Sequence, residues 1–179
     1  MRNLAFFIAL TSSLLIGCAA GDEGLDAIQA DIISDHKSVA QLSAEDYLEL
    51  DRSDILLLDI REPEEYAVSR LPGAVRVDPN ASAESALTQF GDVTGKKVIV
   101  YCSVGRRSSI FAEREETALM KMGAASVSNL EHGIFGWHNE RRELMDANGE
   151  TDAVHPYNGI WKRYVLRKDK ARYTPILTE

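Results

Sequence analysis

Two short apolar runs, Ile55-Leu56-Leu57-Leu58-Asp59-Ile60 and Val98-Ile99-Val100-Tyr101, constrain the fold of this chain more than any other feature. Runs of this length and character mark strands buried on both faces, as in parallel sheets covered by helices. The second run ends in Cys102-Ser103-Val104-Gly105-Arg106-Arg107, followed by Ser108-Ser109, where a helix can open. A strand that passes through a loop into a helix delivers its cysteine to the carboxyl edge of a sheet, where open α/β folds bind ligands.

The loop has the composition of an anion site built around a nucleophile. A thiolate is favoured beside arginine and at a helix N-terminus, where unpaired backbone N–H groups point outward. Gly105 permits a positive φ, which lets successive amides of Ser103, Val104 and their neighbours form an anion-binding nest. Arg106 and Arg107 add forked cationic donors suited to tetrahedral oxyanions. Core packing accounts for a buried cysteine after a strand, but not for a glycine and paired arginines directly behind it.

The rest of the chain alternates strand and helix signals. Ser43 with Asp46 three residues on predicts a capped helix through Tyr47 and Leu50. Pro63 opens a short helix over residues 64–68, and Leu71-Pro72-Gly73-Ala74 is a turn into a strand over 75–77. One short helix is expected within 80–91, a longer one over 108–122 stopped by Gly123, a strand over 126–130 and a helix within 133–144. This alternation predicts an α/β fold, a mostly parallel sheet with helices on both faces.

The chain opens with Met1-Arg2-Asn3, an apolar stretch and Leu15-Ile16-Gly17-Cys18, which has the parts of a secretory signal. It is too short and broken for a membrane span of about 20 apolar residues. Leu15 to Cys18 resembles a bacterial lipobox, implying a Cys18 lipid anchor; cleavage after Ala20, which would release an exported protein, is the other reading. Ala19 after that cysteine resembles an outer-membrane sorting signal, so the expected location is the periplasmic side of a bacterial membrane. Residues 1–17 then form the signal, 18–37 a tether, 38–145 the domain and 146–179 a C-terminal extension. Removing residues 1–17 removes one charge, Arg2, so the net charge of −8 becomes −9, which argues against nucleic acid as a partner. His36, His132, His138 and His155 lack metal-ligand spacing, and no metal or cofactor is expected.

With these residues in place, residues 39–142 resemble the single-domain rhodanese sulfurtransferases. The resemblance rests on Leu57-Leu58-Asp59-Ile60-Arg61-Glu62-Pro63-Glu64-Glu65-Tyr66, on Leu71-Pro72-Gly73-Ala74, on the cysteine loop, and on the stretch from Asn129 to Trp137. It implies a three-layer rhodanese-like fold in which Cys102 accepts a sulfane sulfur from a thiosulfate-type anion and passes it to cyanide or to a thiol acceptor such as a thiol-bearing protein. It also implies that Asp59 and Arg61 support the site as an acidic and basic pair, although an ion pair holding a turn explains them equally well. Ser69-Arg70 stands where the family usually has Gly-His, and His132 replaces a usual glycine. Cysteine phosphatases and arsenate reductases are the distant enzymatic alternative, but phosphatases of this fold need Cys-x5-Arg, and Arg107 falls one residue short. A persulfide carrier that does not turn over is the alternative from another class. Lys162 to Arg172 holds six basic residues and one acid, read as a solvated helix face with Trp161 and Val165 docked on the core.

Overall fold

The computed structural model describes residues 22–176. Five strands form one parallel sheet: β1 (Ala40–Leu42), β2 (Ile55–Asp59), β3 (Val75–Arg76), β4 (Lys97–Tyr101) and β5 (Ser126–Leu130), in the order β1-β5-β4-β2-β3. The two apolar runs of the sequence are β2 and β4, paired at the centre with Leu57 opposite Ile99 and Asp59 opposite Tyr101. Side chains alternate across a strand. Leu57, Ile99 and Tyr101 therefore enter one core, while Leu58, Val98 and Val100 enter another on the opposite face.

Helices cover both faces, as the near-continuous apolar runs require. Phe111, Ala112 and Leu119 of α5 (Arg106–Lys121) and Ala83 and Ala86 of α4 (Ala83–Phe90) build the second core. The first core takes Tyr47 from α2 (Ala44–Leu48) and Ile134, Phe135 and Trp137 from α6 (Gly133–Asn139). The Ser43 cap is present, its Oγ accepting from the Asp46 amide at 3.0 Å, but α2 ends at Leu48. The proline-led helix is α3 (Pro63–Val68), closed by a capping box between Glu62 and Glu65.

The structure corrects the expectation of a tether. Residues 22–35 form α1 (Asp22–Asp35), and its Leu25, Ile28 and Ile32 are buried in the first core, Ile32 completely. Leu25, Ile28 and Ile32 recur at helical spacing and form a packing stripe, so residues 22–35 are part of the folded unit. The C-terminal extension is likewise part of the fold, since Val154 and Val165 are fully buried in that core. Its basic stretch is not a helix but two 3-10 turns, Trp161–Tyr164 and Lys168–Lys170, and Arg167 and Lys170 both meet Asp152 at 2.8 Å. A small antiparallel pair, β6 (Leu144–Met145) and β7 (Glu150–Thr151), completes the architecture. Residues 1–17 and Cys18 lie outside the described residues.

Candidate active site

Cys102 follows the last residue of β4, the strand flanked on both sides at the centre of the sheet, and is a free thiol only 1 % exposed. The loop behind it turns at Gly105, whose φ of 95° is open to glycine and strained for other residues, and Gly105 is the N-cap of α5. The helix thus starts two residues earlier than the serines suggest. A side chain at Gly105 would also crowd Asn129 Nδ2 at 3.1 Å. Asn129 is held in turn by the Ser108 hydroxyl at 2.6 Å, which fixes the floor of the loop.

The N-terminus of α6 orients the loop. The Ile134 amide donates to the Cys102 carbonyl at 2.9 Å and the Phe135 amide to the Ser103 carbonyl at 3.0 Å. With both carbonyls drawn to that side, the amides of Ser103 to Arg107 donate to no acceptor among the described residues. This contact requires glycine at 133, where a Cβ would lie 2.3 Å from the Cys102 carbonyl oxygen.

The two arginines play different parts. Arg107 donates to both oxygens of Glu65 at 2.8 and 2.9 Å and to Ser103 Oγ at 3.0 Å. Ser103 Oγ donates to Glu65 at 2.8 Å, closing a three-residue clamp around the loop. Burial pushes the Glu65 carboxyl up, but Arg107 overrides this and holds it below the usual carboxylate range. Burial likewise opposes the charge on Arg107, and Glu65 together with Cys102 more than offsets it, so its pKa is raised. Among the described residues Arg106 pairs with Asp35 at 3.4 Å and Asp31 at 4.0 Å on α1, with all three side chains exposed. Exposed pairs of this kind are weak, so they oppose a turn of Arg106 toward a ligand only slightly.

Cys102, Ser103, Val104, Arg106 and Arg107 line a pocket of about 250 Å³ whose remaining wall is Ile110, Tyr157 and Trp161. The Arg107 guanidinium lies 4.8 Å from the Tyr157 ring centroid. A larger cavity of about 540 Å³, bordered by Tyr47, Arg52, Trp137 and Arg142, has no cysteine in its lining, so chemistry rather than size selects the smaller one.

Asp59 and Arg61 do not line the pocket. Both are fully buried and bonded at 2.6 Å, with Arg61 also holding the Ser69 carbonyl at 2.6 Å. Asp59 accepts the Tyr101 hydroxyl at 2.6 Å, and that hydroxyl accepts from the Leu71 amide at 3.1 Å. The pair thus holds the Ser69 carbonyl and the Tyr101 hydroxyl, and Tyr101 precedes Cys102 in the chain. Neither Glu65 nor Tyr157 is marked as a site residue by the sequence. The capping-box spacing from Glu62 was the only local signal for Glu65. Tyr157 carries none, because its partner Arg107 is fifty residues away in the chain.

A family model described as "Rhodanese-like domain" matches residues 43–140. The chain belongs to the rhodanese-like family. It is similar to a sulfurtransferase of Allochromatium vinosum, 32 % identical over 99 residues that span 55 % of this chain and 86 % of that protein. It is also similar to the adenylyltransferase and sulfurtransferase UBA4 of Meyerozyma guilliermondii, 29 % identical over 106 residues, 56 % of this chain and 24 % of that protein. Of that second relative, the chain spans about a quarter of the length. The crystal structure of a thiosulfate sulfurtransferase from Pseudomonas aeruginosa superposes with a TM-score of 0.52 at 20 % identity, over 80 % of this chain and 26 % of that one; the likeness is one of fold. The two departures from the rhodanese pattern are not in the lining of the Cys102 pocket. His132 has a φ of 59°, the left-handed conformation that explains a usual glycine there. Arg70 pairs by its backbone with Met145, and Ser69 is buried against Arg61.

Proposed function

We propose that this protein is a sulfurtransferase that carries a sulfane sulfur on Cys102. The observation that carries the reading is Cys102 in the lining of a pocket, beside a loop whose amides have no acceptor among the described residues and beside the exposed guanidinium of Arg106. The Cys102 thiolate attacks the outer sulfur of a thiosulfate-type donor. A bond forms between the two sulfurs, the bond from the outer sulfur to the sulfonate breaks, and sulfite leaves with the electron pair. The loop amides and Arg106 hold the sulfonate oxygens, and being already in place they need little reorganisation. Cyanide or a thiolate then attacks the outer sulfur of the persulfide and regenerates the Cys102 thiolate.

Phosphoryl transfer fits less well. The fifth residue after the cysteine, Arg107, is committed to Glu65, and no arginine stands at the sixth. Incubation with thiosulfate followed by intact mass measurement tests the assignment: a gain of one sulfur that disappears in Cys102→Ser is expected. Hydrolysis of an aryl phosphate without any sulfur gain overturns it. Sulfur gain without cyanide turnover would reassign the protein as a persulfide carrier for a thiol-bearing partner protein.

For location, the proposal is export with lipid attachment at Cys18, supported by the basic and apolar leader and its lipobox-like end. Only Ala19, Ala20 and Gly21 separate Cys18 from α1. At about 3.5 Å per residue, such an anchor would hold the domain close to the bilayer. Detergent-dependent extraction that is lost in Cys18→Ala is the expected result, and extraction that persists in that variant refutes lipidation.

A further inference from the structure

We infer that the turn over 160–164 and the basic residues around it form a docking face for an anionic lipid bilayer, with Ile160 entering the headgroup layer and Lys162, Arg163, Lys168 and Arg172 meeting lipid phosphates. The inference goes beyond sulfur transfer, and it rests on the export reading above only in that export brings the chain to a bilayer.

The turn divides its side chains between core and solvent. A 3-10 turn repeats every three residues, so side chains three apart lie in one row. Trp161 and Tyr164 share a row and pack against the first core, and Val165 after them is fully buried. Ile160, the N-cap, shares a row with Arg163, and both are exposed. At 68 % exposed, Ile160 is the most exposed large apolar side chain among the described residues. Asn158 Oδ1 fixes the turn by accepting from the Ile160 and Trp161 amides at 2.9 and 3.1 Å. An isoleucine is thus held out to solvent by a turn seated firmly on the core.

Charge surrounds this apolar tip. The chain has a net charge of −8, yet Lys162 to Arg172 holds six bases and one acid. Arg167 and Lys170 are taken up by Asp152. Lys162, Arg163, Lys168 and Arg172 pair with no carboxylate among the described residues, and the last three are exposed. On α1, Asp26 lies 3.1 Å from His132 Nε2, and Asp31 and Asp35 meet Arg106, so these acids do not neutralise the turn. Unpaired cations around an exposed apolar tip complement an anionic interface, where affinity grows with the apolar area buried and with each lysine or arginine.

The path of the chain from Cys18 leads to the same face. Gly24 of α1 lies so close to the Tyr164 ring that a Cβ there would come within 2.9 Å of it. The start of α1 and the basic turn are therefore neighbours, and only Ala19, Ala20 and Gly21 separate α1 from Cys18. The four steps from Cys18 to Asp22 span at most about 14 Å, so a lipid on Cys18 brings the turn within reach of the bilayer. No helix among the described residues is long and apolar enough to cross a membrane, and the contact is with the membrane surface. Tyr157 and Trp161 also line the Cys102 pocket, so a docked turn places the rim of that pocket at the headgroup layer.

The test is sedimentation of the full chain carrying Cys18→Ala with vesicles of phosphatidylcholine, with or without phosphatidylglycerol. That substitution removes the lipid and leaves the leader common to every variant compared. Binding should be stronger to the phosphatidylglycerol vesicles. Lys162→Glu with Arg163→Glu should weaken it at least about twentyfold, at roughly fivefold for each lost cation. Ile160→Ala should weaken it about tenfold. Lys37→Glu with Lys121→Glu makes the same change in net charge at exposed lysines, one beyond the far end of α1 and the other the last residue of α5, and should change binding far less. Equal binding to the two kinds of vesicle, or an equal loss in the Lys37 and Lys121 control, overturns the docking face. Lipidation is read separately, from the intact mass of the chain that keeps Cys18. Its absence overturns the anchor, while the vesicle comparison decides the face.

Discussion

Replacing Glu65 by alanine should destabilise this protein by about 3 kcal/mol, and the reason is visible in its four contacts. Its carboxylate, 2 % exposed, accepts from two Arg107 nitrogens at 2.8 and 2.9 Å, from Ser103 Oγ at 2.8 Å and from the Glu62 amide at 3.1 Å. Removing one partner of a buried pair costs about 3–5 kcal/mol, because the other charge is left uncompensated. The Arg107 side chain is 25 % exposed, so water relieves part of that cost and the low end of the range applies. Glu65→Gln keeps the shape, the serine bond and one arginine bond, and should cost about half as much. For a chain of this size, about 3 kcal/mol corresponds to a Tm lower by roughly 6–12 °C.

Urea unfolding followed by the fluorescence of Trp137 and Trp161 measures the change, with the m-value expected to stay constant. Acid provides the sign. Arg107 holds the folded Glu65 carboxyl below its ordinary value of 4.5 although burial alone would raise it. The unfolded chain therefore takes up this proton first as pH falls. The stabilisation is fully present above pH 4.5 and is lost as pH drops through the lower folded pKa, so wild type and Glu65→Gln should converge there. A Glu65→Ala cost under about 1 kcal/mol, the worth of an exposed pair, would refute the clamp. So would a difference from Glu65→Gln that stays unchanged into strong acid.

Other substitutions test other parts of the structure. Ile32→Ala should cost about 2–5 kcal/mol, since Ile32 is fully buried, whereas the neighbouring Ile33→Ala, 47 % exposed, should be near neutral; equal small effects in thermal unfolding would return α1 to the status of a tether. Gly133→Ala puts a Cβ 2.3 Å from the Cys102 carbonyl, so the loop must move, and both Tm and the rate of sulfur loading on Cys102 should fall; an unchanged rate would show that α6 does not orient the loop. Tyr101→Phe leaves the buried Leu71 amide without its acceptor and should cost about 1–3 kcal/mol in urea unfolding, and a neutral result would dismiss the Asp59–Tyr101–Leu71 link.

What the sequence by itself determined was local in origin. Apolar runs of four to six residues specify buried parallel strands because both faces must be covered, and β2 and β4 appeared where those runs lie. The cysteine loop was legible because its requirements are written in consecutive residues: a thiol after a strand, a glycine with positive φ at 105, and a helix opening behind it. The packing of residues 22–35 was not legible because an acidic surface around Leu25, Ile28 and Ile32 reads as solvated until the surface that buries those three residues is known. Only the tertiary structure decided how the two arginines divide their work, since Glu65 and Arg107 meet across 42 positions of sequence. It alone placed Tyr157 and Trp161 beside Cys102. Pairing across such separations depends on where the sheet and its covering segments bring side chains, and no periodicity within one segment encodes that placement.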